Sequence, residues 1–274
     1  MKNFLKNTIG NILIAIQPEK AKELSNKGMT IIVNLSFKDR LMRFALLEKA
    51  KKQKDFETLS NFHEDFWTNK GEQYFNTRPD NLLESFFIPK CSFIMDLLEE
   101  QFKNEDGKYN TLVEIGTGEG IVLDYLSDRF PEINRFIGID LSVSRIEANK
   151  KIFKKNDKLE FVVSDAVDWF KKNGHDHMIV ITSGGVLEYF TQSRLQGFFN
   201  ELNNIKKIIF IAIEPIGVHH DFLKNPNSEI YGNENSFSHN YEKLFKDAGF
   251  NIWHQSKLPY PESDFYMNFI GVKN

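Results

Sequence analysis

The stretch "VEIGTGEG" (residues 113–120) carries three glycines at alternate positions, directly after an apolar run and with a glutamate just before them. The preceding "TLVEIG" (111–116) reads as a buried strand, and "GIVLDYLSDRF" (120–130) has helical spacing. The glycines therefore stand at a strand-to-helix turn. Each one removes a Cβ there, so a ligand can lie against the backbone. The free N–H groups that open the next helix favour anionic groups nearby. A plain tight turn is the competing reading. A dinucleotide site asks for G-x-G-x-x-G; counted from Gly116 the third glycine would stand at 121, which is Ile121.

From 111 onward the chain alternates between strand-like and helix-like segments. Strands are expected at 111–116, 135–141, 159–166, 177–184 and 206–215, with helices at 120–130, 144–155, 167–173 and 191–204 between them. A long polar stretch follows, then a helix at 239–250. The strands "NIWHQSKL" (251–258) and "DFYMNFIGV" (264–272) end the chain with no helix between them, so they must pair as an antiparallel hairpin at one edge. The expectation is an α/β fold: a mostly parallel seven-stranded sheet, helices on both faces, and an antiparallel last strand. In such sheets ligands sit outside the carboxyl ends of the strands, near the switch point.

With these residues in hand, the region 111–274 resembles the class I S-adenosylmethionine-dependent methyltransferases, which have a Rossmann-like sheet. The resemblance rests on "VEIGTGEG", on "IGID" ending the second strand at Asp140, on "VVSDAVDW" after the third, and on "TSGGVLEYF" after the fourth. It implies S-adenosylmethionine as cofactor and S-adenosylhomocysteine as product. It places the cofactor against Glu114, Gly116, Thr117, Gly118 and Gly120 of the first motif. Asp140 and Leu141 would serve the ribose, Asp165 and Ala166 the adenine, with Ser183 beyond the fourth strand. Capping offers a bland role for two of these: Asp140 or Ser142 could cap the helix at 144, and Asp165 the helix at 167.

Residues 1–105 read as a mainly helical cap or lid region, before an S-adenosylmethionine-binding domain at 106–274. Segments 18–28, 37–53, 55–69 (ended by Gly71) and 81–102 (broken near Pro89) have helical patterns, while "MTIIVNLS" (29–36) is open between strand and loop. "KNEDGKYN" (103–110) reads as a polar hinge. In "FHEDFWTNKGEQYF" (62–75) the resemblance suggests a lid over the cofactor, with Phe66, Trp67 and Tyr74 as its rings and His63 one turn before Trp67. An ordinary buried helix face competes with that reading.

If the methyl acceptor is a hydroxyl, a general base helps remove its proton. Glu188, His219, His220 and His63 are the candidates, and each histidine has a solvated-loop or buried-face alternative. No metal site is expected, since His219, His220 and Asp221 lack matching carboxylates on other strand ends. "TSGG" after the fourth strand differs from the D/N-P-P-Y/F pattern of enzymes acting on exocyclic amines or glutamine. A small molecule is the expected substrate, with O-methylation of a hydroxyl or carboxylate, as in a sugar or natural product, preferred over N-methylation.

Composition excludes several classes. A net charge of −3 over 274 residues, with no basic block, gives no sign of nucleic acid. Cys91 is the only cysteine, so no internal disulfide can form, which fits a cytoplasmic setting. No apolar run approaches the roughly 20 residues needed to span a bilayer. The start is expected to be a mature N-terminus. Two further readings stay open: a nicotinamide-dependent oxidoreductase on a similar sheet, and a non-catalytic module binding a partner or a membrane through the amphipathic segment 4–16.

Overall fold

The computed structural model describes residues 2–32, 34–77, 81–103, 109–260 and 263–274. Seven strands form one sheet: β1 (Thr111–Ile115), β2 (Arg135–Asp140), β3 (Leu159–Val163), β4 (Met178–Thr182), β5 (Ile208–Gly217), β8 (Asn251–Pro259) and β9 (Phe265–Lys273). Their order is β3-β2-β1-β4-β5-β9-β8, with the first five parallel and β9 antiparallel to both neighbours. The chain starts at β1 in the middle and winds outward twice. The order therefore reverses between β1 and β4, and that is where the sheet opens a crevice.

Both faces are covered. Val113, Ile115, Ile137, Ile139 and Val180 pack beneath α8 (Ala166–Asn173), α9 (Gln192–Asn204) and α10 (Tyr241–Asp247). On the other face Leu112, Phe136, Ile179 and Ile211 meet α5 (Ile88–Lys103) and α6 (Ile121–Arg129), while α7 (Val143–Ile152) contributes Ile146. Alternate residues of one strand thus enter opposite cores, which is why these strands read as continuous apolar runs. The hairpin expected at 251–272 forms the β8–β9 edge.

Four helices precede this unit: α1 (Lys2–Ile16), α2 (Pro18–Asn26), α3 (Phe37–Gln53) and α4 (Phe56–Thr77). Pro18 opens α2, and Ser36 with Asp39 closes a capping box on α3. Gly28, at φ 80°, turns the chain after α2 so tightly that its Cα lies against the backbone of Phe66. On α1, Gly10 lets α3 approach at Leu41, leaving Leu5, Ile9, Ile12 and Ile16 exposed. α5 shares its core with the sheet rather than with these helices.

The structure decides one segment left open by the sequence and departs from the expected elements at three places. The described part of 29–36 holds no strand, because Met29 and Leu35 are drawn into the core of the first helices. α4 does not stop at Gly71 but runs to Thr77; the Trp67 ring lies over Gly71, and tertiary packing outweighs the ~1 kcal/mol that glycine costs inside a helix. The break near Pro89 is a π-helical turn at Leu83–Phe87, and Pro89 itself sits in the first turn of α5. The polar stretch after β5 contains a hairpin, β6 (Glu229–Tyr231) and β7 (Ser236–Ser238). Residues 104–108 of the expected hinge lie outside the described residues. Among the described residues no helix is long and apolar enough to cross a membrane.

Candidate active site

A cavity of about 490 Å³ opens at the carboxyl ends of β1, β2 and β4, a size that suits a cofactor or drug-sized ligand. At one end lie Gly116, Thr117, Gly118, Asp140, Leu141, Asp165, Ala166 and Ser183, each on the cavity wall. Gly116 and Gly118 have φ of 70° and 49°, a left-handed backbone that side-chain-bearing residues resist. The Gly118 N–H donates to Asp140 Oδ2 at 2.9 Å, and the Ser142 N–H donates to Oδ1 at 2.9 Å. Each carboxylate oxygen keeps a second acceptor position, so the side chain both fixes the glycine turn and can still take two hydroxyls. Ser142, not Asp140, caps α7, whereas Asp165 caps α8 through the Asp168 N–H while lining the cavity.

Two residues that the resemblance assigns to the cofactor stand off the wall. Glu114 is fully buried, accepting from Thr117 Oγ1 at 2.7 Å and from Ser183 Oγ at 2.6 Å. It ties the glycine turn to the end of β4 from behind. Gly120 is needed for packing: a Cβ there would meet the rings of Phe161 and Phe153 at 2.9–3.0 Å.

The other end of the cavity is walled by α4, by the turn after β4 and by the β6–β7 hairpin. Ser60, Glu64, Trp67 and Tyr74 recur along one face of α4 and line it. Phe66 points into its own core instead. The Trp67 ring makes edge contacts with Tyr74 and lies 5.6 Å from the Tyr189 ring. Glu188 lines the cavity at 7% exposure, and the Tyr231 hydroxyl donates to its Oε2. Glu214, at the end of β5, accepts the Val186 and Leu187 N–H groups at 3.0 Å each and so sets the turn that carries Glu188 and Tyr189.

None of the three candidate histidines reaches the cavity. His63 is wholly buried behind Tyr189, with ring centroids 4.7 Å apart, and burial pushes its pKa down to about 4. His219 is exposed on a loop. His220 has both ring nitrogens engaged, Nδ1 with Ser238 Oγ and Nε2 with the Asn225 carbonyl. A bend just past β5 turns these two side chains away from the strand end, a feature that strand-end position alone does not reveal. Tyr189, which follows Glu188 past the fourth strand, lines the cavity too, as do Tyr231, Glu234, Ser236 and Arg194, which no catalytic or binding motif in the sequence marks. The alternation in "EIYGNENSFS" around a Gly-Asn pair is the hairpin signal that would have brought Tyr231 and Ser236 forward.

Burial raises three carboxyls: Glu114 and Glu214 to about 7, and Glu188 to about 8. In the folded state these groups hold protons that the unfolded chain releases near pH 4.5. Folding stability is therefore expected to fall as pH rises from about 5 to 8. Thermal midpoints across that range should decline in the wild type and decline less in Glu188→Gln. A midpoint that rises throughout would contradict the assignment.

The sheet order and the glycine turn at its switch point are those of the class I S-adenosylmethionine-dependent methyltransferase fold. Residues 112–207, which run from β1 into the turn before β5, match the family model described as "Methyltransferase domain". In fold the chain is similar to magnesium protoporphyrin IX methyltransferase from Synechocystis PCC 6803, solved with bound S-adenosylhomocysteine: TM-score 0.54, 12% identity, covering 79% of this chain and 99% of that one. It is similar to a SAM-dependent methyltransferase from Leishmania major at TM-score 0.51 and 13% identity, covering 83% and 89% of the two chains. The [4+2]-cyclase SpnF is a third neighbour, at TM-score 0.50 and 12% identity, covering 66% and 80%. No curated protein sequence matches the chain.

Proposed function

We propose that the protein transfers the methyl group of S-adenosylmethionine to a small molecule, at a hydroxyl or an amine. One observation carries the reading. A single cavity runs from the glycine turn and Asp140 to a polar and aromatic chamber closed by α4, where Glu188 lies. In this reading Gly116, Gly118, Asp140, Leu141, Asp165 and Ala166 hold the nucleoside. Thr117 and Ser183, tied to each other through Glu114, keep the floor rigid. The helices before β1 act as a lid, with Trp67 and Tyr74 shielding the methyl from water. Arg194 latches that lid by pairing with Glu64 of α4 and with Asp165 at the end of β3.

Geometry rather than acid–base power supplies most of the acceleration in such a displacement, since alignment and exclusion of water lower the barrier. Glu188 is the proton acceptor of choice because it alone among the candidate bases lies on the cavity wall. The carboxylate acceptor also considered from the sequence is disfavoured by the negative wall it would face. A cytoplasmic setting fits the single cysteine, buried in α5.

Calorimetry with S-adenosylhomocysteine and with NAD tests the reading. Binding of the first and none of the second is expected, together with methyl transfer from S-adenosylmethionine across hydroxyl and amine acceptors. Binding of NAD alone would favour the oxidoreductase reading. Binding of neither would favour a non-catalytic module.

A further inference from the structure

Resting on the reading above, we propose that the methyl acceptor is a small-molecule amine that enters as its ammonium ion, with Glu188 taking its proton. The charge of the wall comes first. Seven acidic side chains and one basic one, Arg194, line the cavity among the described residues. Arg194 is already paired, with Asp165 at 2.5 Å and Glu64 at 3.3 Å. Asp140 and Asp165 stand at the nucleoside end. Glu188, Glu234 and Asp264 are left at the acceptor end; Glu234 is within reach of the Arg43 guanidinium behind the wall, while Glu188 and Asp264 are paired with no basic residue of the wall. An anionic acceptor would meet carboxyl groups in a partly dehydrated space and gain no counter-charge there. An ammonium beside Glu188 favours the ionised form of a carboxyl that burial alone holds protonated up to about pH 8.

The second observation is space in front of a carboxylate. Gly185 carries no side chain opposite Glu188, and a Cβ there would stand 2.7 Å from Glu188 Oε1. The Tyr231 hydroxyl takes the other oxygen, Oε2. Tyr231 and Ser236 thus hold the carboxyl on one side, and the missing Cβ at Gly185 leaves Oε1 unblocked on the other. The third observation is the aromatic lining. Trp67, Tyr74, Tyr189 and Tyr231 surround this end, and ring faces attract cations, more so when water is excluded. A hydroxyl acceptor gains little from either feature.

The chemistry balances. An ammonium has no lone pair to offer. Its N–H bond breaks as the proton moves to a Glu188 oxygen. The freed pair forms the N–C bond while the S–CH3 bond of the sulfonium breaks, its electrons staying on sulfur as a neutral thioether. Glu188 returns its proton to water when the product leaves.

The test is calorimetry on the full chain saturated with S-adenosylhomocysteine. Two sets of equal skeleton serve as probes: phenethylamine, 2-phenylethanol and phenylacetate, then hexylamine, hexanol and hexanoate. In at least one set the amine is expected to bind tenfold or more tighter than its alcohol, with the acid weakest. Glu188→Gln keeps an oxygen for Tyr231 but loses the charge, and it should cut the amine-to-alcohol ratio below threefold while S-adenosylhomocysteine binds as before. The proposal is overturned if no amine binds, if alcohols or acids match the amines in both sets, or if the variant weakens amine and alcohol equally. The wild-type series decides the matter even if the variant fails to fold. Failure of the wild type to bind S-adenosylhomocysteine would remove the methyltransferase reading itself, a separate outcome.

Discussion

Asp140→Ala is expected to weaken S-adenosylhomocysteine binding by 100-fold or more. Two hydrogen bonds from ribose hydroxyls to an ionised acceptor contribute roughly 1.5–3 kcal/mol each, and each 1.4 kcal/mol is a factor of about ten in affinity. The substitution also frees the N–H groups of Gly118 and Ser142, which Asp140 accepts in the folded protein. The glycine turn then loses its anchor to the end of β2, so the binding surface loosens along with the lost contacts. The global fold should survive, because Asp140 lies at a strand end and outside both sheet cores. Calorimetry beside a thermal melt checks both halves. A loss of less than tenfold in a folded variant would mean that the carboxylate does not hold the ligand. Asp140→Asn refines the result: one amide face can still accept, but the other would present a donor to a backbone N–H.

Gly28→Ala carries the largest expected effect on stability. Gly28 has φ 80°, and an added Cβ would come within 2.1 Å of the Phe66 Cα and 2.4 Å of its nitrogen. These are backbone atoms in the middle of α4, so no side-chain rotation relieves the clash. The left-handed backbone costs ~1–2 kcal/mol, and moving a packed helix costs ~1–3 kcal/mol more. Together these correspond to a fall in thermal midpoint of roughly 5–15 °C. Because α4 also carries Glu64, Trp67 and Tyr74 on the cavity wall, the shift reaches the acceptor end. Acceptor binding should weaken more than S-adenosylhomocysteine binding, which calorimetry on the two ligands would show. A midpoint within 2 °C of wild type would contradict the close approach of these two segments.

Much of the sheet was legible because its strands are buried on both faces. Runs such as "LVEI" and "MIVIT" have one physical solution when helices separate them, and the two final strands without a helix between them had to pair antiparallel. The glycine-turn end of the cavity was legible for a related reason. Glycines with positive φ and a strand-end aspartate are local requirements, written at fixed distances along the chain. The acceptor end is built differently. Glu188, Tyr231 and Trp67 meet from a turn after β4, a hairpin after β5 and a helix before β1. No spacing rule links three segments so far apart in sequence. The histidines misled for the converse reason: His63 and His220 are chemically apt, but packing turned one into a fully buried ring and gave the other two hydrogen-bond partners.

By itself, then, the order of residues determined the winding of the sheet and the backbone shape of the turn at 116–120, since both follow from burial parity and from steric freedom within a few neighbouring residues. Only the tertiary structure decided that Glu114 faces inward to Thr117 and Ser183 while Glu188 faces the cavity. Both are glutamates that follow apolar residues, and both are almost fully buried. What separates them is which distant segments close over each one, and that depends on contacts across more than 40 residues of chain.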